Sequence, residues 1–271
     1  MSQTTTTEPI TEPTAGPGGG ALQARLDDYW TSRAPAYHRR QVEGERAALD
    51  RDLWTRVWRG ALGPGPLRVL DVGTGSGYVA HVLAELGHDV VGLDSADGML
   101  AEARRDAEGR RRDGRPAARF VRGDAVRPGD TEGIADAPYD AVTSRWLLWT
   151  LRDPVDAVRA WSTLVRPGGT VACVDANWYP GGIDRGVAVE STDGPDAFGR
   201  TYDLGAEAAL PLATSADVDA FVAVFEAAGL VEVRTERIDE VAELDRRFGV
   251  SPGHESRPQH LVTGRVPLSR A

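Results

Sequence analysis

The chain has 271 residues, 41% of them hydrophobic and 27% charged, with one cysteine and a formal net charge of −10. Such a length can bury one α/β domain with additions, while the acidic balance argues against a nucleic-acid substrate, whose phosphates need a basic face. A lone cysteine excludes an intramolecular disulfide and makes a cytoplasmic location the expectation, and no apolar run is long enough to span a membrane.

Residues 1–20, rich in Thr, Pro and Gly, have almost nothing to bury and are expected to be a disordered tail. They lack the apolar core of a signal peptide. Residues 21–60 read as a helical segment running from Leu22 to Trp58. Trp54 and Trp58, four apart, should share one packed helix face. Tyr29, Trp30 and Ala34-Pro35-Ala36-Tyr37 fall on a less regular stretch.

Residues 61–271 form the expected main domain. Val69-Leu70-Asp71-Val72-Gly73-Thr74-Gly75-Ser76-Gly77 reads as a buried strand followed by a glycine-rich turn into a helix. Val90 to Asp94 is a second strand whose terminal carboxylate is placed to grip ribose hydroxyls. Together they predict a nucleoside-containing cofactor. Tyr78 stands where a dinucleotide fingerprint needs its third glycine, and Asp71 would repel a pyrophosphate at the helix N-terminus. S-adenosylmethionine carries no phosphate; its sulfonium and ammonium charges suit a carboxylate.

Phe120 to Ala125 is a short third strand ending in Asp124, and Tyr139 to Arg145 a fourth. Arg110-Arg111-Arg112, flanked by Glu108 and Asp113, reads as a solvated loop. Asp153-Pro154 opens a helix with proline at its first position. Pro167-Gly168-Gly169 turns into a fifth strand, Thr170 to Asp175. Cys173 inside it reads as a small core residue.

At these residues, about 67 to 175, the chain resembles the class I S-adenosylmethionine-dependent methyltransferases. The resemblance implies a Rossmann-like, doubly wound, seven-stranded, mostly parallel sheet with helices on both faces and an N-terminal helical lid. It further implies that Asp71, Gly73, Gly75 and Gly77 line the methionine and ribose portion of the cofactor. Asp94 would hold the ribose, Ser95 and Met99 would border the adenine, and Asp124 with Ala125 would meet its edge. Ser144 and Arg145 would lie beneath the sulfonium. Many relatives place histidine where this chain has Trp146. No metal is implied.

Residues 176–213 read as a long irregular insertion at the carboxyl edge of the sheet, opening on Asn177-Trp178-Tyr179. Trp30, Trp178 and Tyr179 are the candidate substrate-stacking residues. Thr214-Ser215-Ala216-Asp217 reads as a capping box for a helix that stops at Gly229. Leu230 to Val233 and His260 to Val266 should close the sheet as an antiparallel pair. Tyr29, Tyr37, His254 and His260 are the candidate bases.

The expected activity is methyl transfer to an O, N or C atom of a small aromatic or heteroaromatic metabolite, indole-type rings included, in secondary metabolism. The expected partner is that small molecule, with neither nucleic acid nor membrane, in a monomer or homodimer. A cofactor-binding cyclase or isomerase, or a nicotinamide oxidoreductase, are the alternatives.

Overall fold

The computed structural model describes residues 19–136, 138–250 and 255–269. Among them, seven strands form one sheet: β1 (Arg68–Val72), β2 (Asp89–Asp94), β3 (Arg119–Arg122), β4 (Tyr139–Arg145), β5 (Val165–Ala176), β6 (Val231–Ile238) and β7 (Gln259–Arg265). Their order is β3-β2-β1-β4-β5-β7-β6. The first five are parallel, and β7 runs antiparallel to both β5 and β6. The chain therefore winds outward from β1 to β3 and returns on the other side of β1. That reversal opens a crevice at the carboxyl ends of β1 and β4, where ligands of such sheets bind.

Strand alternation builds two cores. Leu70, Val72, Val142 and Cys173 pack against α5 (Pro154–Leu164) and α8 (Asp219–Ala227). Val69, Ala141, Ala172 and Val174 meet the other helical layer: α2 (Glu45–Leu62), α3 (Tyr78–Glu85) and α9 (Asp239–Phe248). Trp54 and Trp58 lie buried on one face of α2, as their spacing predicts. Burial pushes the Cys173 thiol well above its ordinary range.

Several expectations are revised. Helix α1 (Gly19–Val42) starts at the end of the expected tail, whose residues 1–18 lie outside the described ones. It continues unbroken through Pro35, which removes the backbone donor that would otherwise serve the Thr31 carbonyl. The insertion is not irregular: it carries α6 (Ala197–Thr201) and α7 (Leu204–Ala209), packed around Tyr202 and Leu210. Arg110 to Arg112 form the last turn of α4 (Asp97–Arg112), where their charge suits the helix dipole. Arg110 is buried and donates to Glu85 at 2.7 Å and Asp106 at 3.1 Å. The capping box is not formed, because Ser215 Oγ donates to the Leu212 carbonyl at 2.9 Å and α8 begins only at Asp219. Among the described residues no helix is long and apolar enough to cross a membrane.

Candidate active site

The turn after β1 places Gly73, Gly75 and Gly77 at φ of 65°, 55° and 85°, a region that favours glycine. Their roles differ. A Cβ on Gly75 would point toward Met99 Sδ and Tyr37 Cε1, both 3.9 Å away across a cavity. One on Gly77 would collide with Phe120 at 2.7 Å and press on Ala103. Gly73 and Gly75 thus line the cavity, whereas Gly77 lets α3 pack against β3 and α4 and does not reach it.

Asp71 is also set back from the expected contact. It is 1% exposed, and its two oxygens accept from Thr74 Oγ1 at 2.7 Å and Thr143 Oγ1 at 2.8 Å. Burial pushes its carboxyl up to about 6 against those hydroxyls. It pins the turn to β4 from beneath and does not reach the cavity wall.

Asp94 closes the turn from β2. It accepts from the Gly75 N–H at 2.8 Å and the Ala96 N–H at 2.9 Å while facing the cavity, and burial raises it to about 6. Because the Gly75 amide is committed to Asp94, it is not offered to a phosphate. Ser95 donates to Asp27 Oδ1 of α1 at 2.6 Å, and Gln23 reaches the same oxygen at 2.9 Å. Met99, Asp124 and Ala125 complete this wall. The space is about 770 Å³, counting what is open to solvent.

Helix α1 lies across that cavity, contributing Leu26, Asp27, Trp30 and Tyr37 to its wall. At the end of β4 the side chains diverge. Arg145 lines the cavity, whereas Ser144 is buried on the opposite face, its hydroxyl without a partner among the described residues, and does not line it. Trp146 follows at φ 60°, an unusual conformation for an aromatic residue. It is fixed by bonds from its N–H to Val174 O at 2.8 Å and from Nε1 to Gln259 Oε1 at 2.9 Å.

A second cavity, about 980 Å³ including its open mouth, adjoins the first. The two share Trp30, Tyr37, Arg145 and Trp146. Trp149 and Trp178 also line the second, with Trp178 edge-on to Trp146 at 6.0 Å and anchored on Asp175 Oδ1 at 2.7 Å.

Of the candidate bases and stacking residues, the structure brings Trp30, Tyr37 and Trp178 together beside Arg145, but not the others. Tyr29 and Tyr179 turn into the apolar cluster beneath, against Phe198 and Tyr202. Burial pushes Tyr29 up to about 12 and Tyr179 higher still, so neither phenol serves as a base near neutral pH. His260 sits beside Asp175 on the sheet face opposite Gln259, away from both cavities, with its imidazole lowered by burial and Arg237. His254 lies outside the described residues. Sequence reasoning missed Asp27 and Arg33, although Trp30, Arg33 and Tyr37 at i, i+3 and i+7 mark one helix face.

The cavity residues fit S-adenosylmethionine. Asp27, Asp94 and Asp124 make an acid-rich wall for a cationic ligand, and Asp94 sits at the strand tip where a ribose is gripped. Fold and cavity are similar to those of class I S-adenosylmethionine-dependent methyltransferases. Residues 70–173 match the methyltransferase domain family. It is 35% identical over 149 residues to a ubiquinone biosynthesis O-methyltransferase of Ruegeria pomeroyi, covering 53% of this chain and 52% of the relative. It is 38% identical over 133 residues to a demethylmenaquinone methyltransferase of Beutenbergia cavernae, covering 49% and 50%. The chain thus spans about half the length of these relatives. A phosphoethanolamine N-methyltransferase of Haemonchus contortus, solved with S-adenosylhomocysteine, shares the fold at a TM-score of 0.61 and 15% identity, over 91% of this chain and 60% of that one.

Proposed function

We propose that this protein transfers the methyl group of S-adenosylmethionine to an O, N or C atom of a small aromatic or heteroaromatic metabolite, as a cytoplasmic enzyme of secondary metabolism. The observation that carries the reading is the junction at Trp30, Tyr37, Arg145 and Trp146, where an acid-lined cofactor cavity opens into a tryptophan-rich one. The similarity to a ubiquinone biosynthesis O-methyltransferase and a demethylmenaquinone methyltransferase supports a ring-bearing acceptor.

In this reading Asp94 holds the ribose, Ser95 and Met99 border the adenine, and Asp124 with Ala125 meets its edge. The bound cofactor supplies an electrophilic methyl on a sulfonium. The protein's part is to align the acceptor with that methyl and exclude water, which is where positioning contributes most. Among the described residues no histidine lines either cavity. Tyr37 remains, but burial raises its phenol above the ordinary value, so it stays protonated at neutral pH and orients the acceptor as a donor. An acceptor that is already ionised, or an amine lone pair, needs no more. Incubation with S-adenosylmethionine and a panel of phenols, indoles and aryl amines should release S-adenosylhomocysteine with a product 14 mass units heavier than its acceptor, on the order of one CH₂. Cofactor binding without S-adenosylhomocysteine release would favour a cyclase or isomerase instead.

A further inference from the structure

The second cavity holds a cation that does not line the first. Arg33, on α1, is 5% exposed and lines this cavity but not the first. Among the described residues its one bond is from Nη1 to the Glu190 carbonyl at 3.2 Å, and no carboxylate there pairs with it. The nearby Glu190 carboxylate is held by Arg39. The acids on the cavity wall are also taken: Asp50 and Asp245 both hold Arg46, and Glu255 holds Arg257. Arg40, on the same wall, is pulled below its ordinary value by burial and by Arg46 and Arg33, which marks a local surplus of positive charge.

Arg145 adds to that surplus at the junction. Its guanidinium lies 4.8 Å from the rings of Trp54 and Tyr78 and 4.1 Å from that of Trp146. A buried charge without a counter-ion is costly, and a guanidinium has a planar fork of donors matched to a carboxylate. Trp30 and Arg33, three apart on α1, face the same space. Resting on the methyl-transfer reading above, we infer that the acceptor is an aromatic acid whose carboxylate is held by Arg33, with its ring directed along Trp30 toward the junction.

Calorimetry with benzoate and benzamide, and with indole-3-acetate and indole-3-acetamide, tests this with and without S-adenosylhomocysteine. Each acid should bind at least about tenfold tighter than its amide, a difference of roughly 1.4 kcal/mol. Arg33→Met should bring the acids to the level of the amides and leave S-adenosylhomocysteine affinity unchanged. Arg33→Lys should keep part of the preference, which separates lost charge from lost folding. Amides binding as well as acids, or no acid binding below millimolar concentration, would overturn the inference without any variant. So would an Arg33→Met protein whose main defect is in S-adenosylhomocysteine binding, because the carboxylate at Arg33 would then be the cofactor's own. Failure of the unmodified protein to bind S-adenosylhomocysteine at all strikes the methyltransferase reading instead, and the cofactor-free titrations still decide the acid preference.

Discussion

Asp94 joins two tasks in one side chain, since the carboxylate that faces the cavity also ties down the glycine turn through the Gly75 amide. Asp94→Ala should therefore weaken S-adenosylhomocysteine binding by about 2 kcal/mol or more, the scale of lost charge-assisted bonds. The sheet should stay folded, since Asp94 ends its strand. Unchanged affinity by calorimetry would remove it from the site. Asp175, under Trp178 and the Trp149 N–H, makes a different prediction. Burial pushes its carboxyl up to about 7, so the folded chain holds that proton more tightly than the unfolded one. Its contribution to stability is full below the ordinary carboxylate value and is lost as pH rises through about 7. Melting temperature should fall between pH 6.5 and 8, and Asp175→Asn should flatten that slope while lowering stability throughout. His81, held down to about 4 by burial and Arg110, acts with the opposite sign but mainly below pH 6.5. A slope that persists in Asp175→Asn would assign it to another group.

At the scale of elements, the position of α1 over the site depends on a close backbone approach. A Cβ on Gly98, near the start of α4, would lie 2.5 Å from the Thr31 carbonyl and 2.8 Å from its Cα. That carbonyl is the one Pro35 leaves without a helical donor, and the Gly98 N–H meets the Thr31 hydroxyl at 3.2 Å. Gly98→Ala should therefore gain about 1 kcal/mol of intrinsic helix propensity yet push α1 outward. Cofactor affinity should drop at least about tenfold, or 1.4 kcal/mol. Gly109→Ala in the same helix, where a Cβ meets only Arg112 at 4.0 Å, is the control and should leave binding intact. Equal affinities in the two variants would show that α1 does not cover the cofactor. The same elements show what the sequence could reveal. Strand tips carrying Asp94 and Arg145 were legible because an apolar run and a turn fix where a strand ends, whereas β3 stops at Arg122 and leaves Asp124 on the loop beyond it. Trp30 and Tyr29 were not separable, since neighbours on a helix differ by about 100° in direction and only packing decides which one turns to the cavity. Gly75 and Gly77 look alike in sequence and part only when Phe120 arrives from a distant strand. Helix α9 was missed because Val241, Leu244 and Phe248 make a short stripe.

Across the whole molecule, the two cavities are roofed by parts whose attachment differs from that of the sheet. The strands are held by a continuous ladder and two apolar cores. Helix α1 adds Leu22, Leu26 and Tyr29 to a third cluster with the insertion, while on the cofactor side it has only a small apolar contact, Ala34, Trp30 and Tyr37 on Ala96 and Met99, and two polar links, Asp27 to Ser95 and Thr31 to Gly98. Ser32 likewise meets Ser191 at 2.8 Å on the insertion side. Segments held by few apolar contacts open at lower free energy than core strands, and a ligand roofed by such a segment needs it to open for entry and exit. Hydrogen exchange should therefore be faster in residues 19–34 and 176–213 than in β1, β4 and β5. Saturating S-adenosylhomocysteine should slow exchange in α1 and at the start of α4, by up to about 2.7 kcal/mol at a hundredfold excess over its dissociation constant. Strands β6 and β7, far from the cofactor cavity, should change only as much as global stability changes. Equal protection of α1 and β4 in the free protein, or no slowing of α1 by S-adenosylhomocysteine, would mean that the ligand enters by another route and that α1 is a fixed wall.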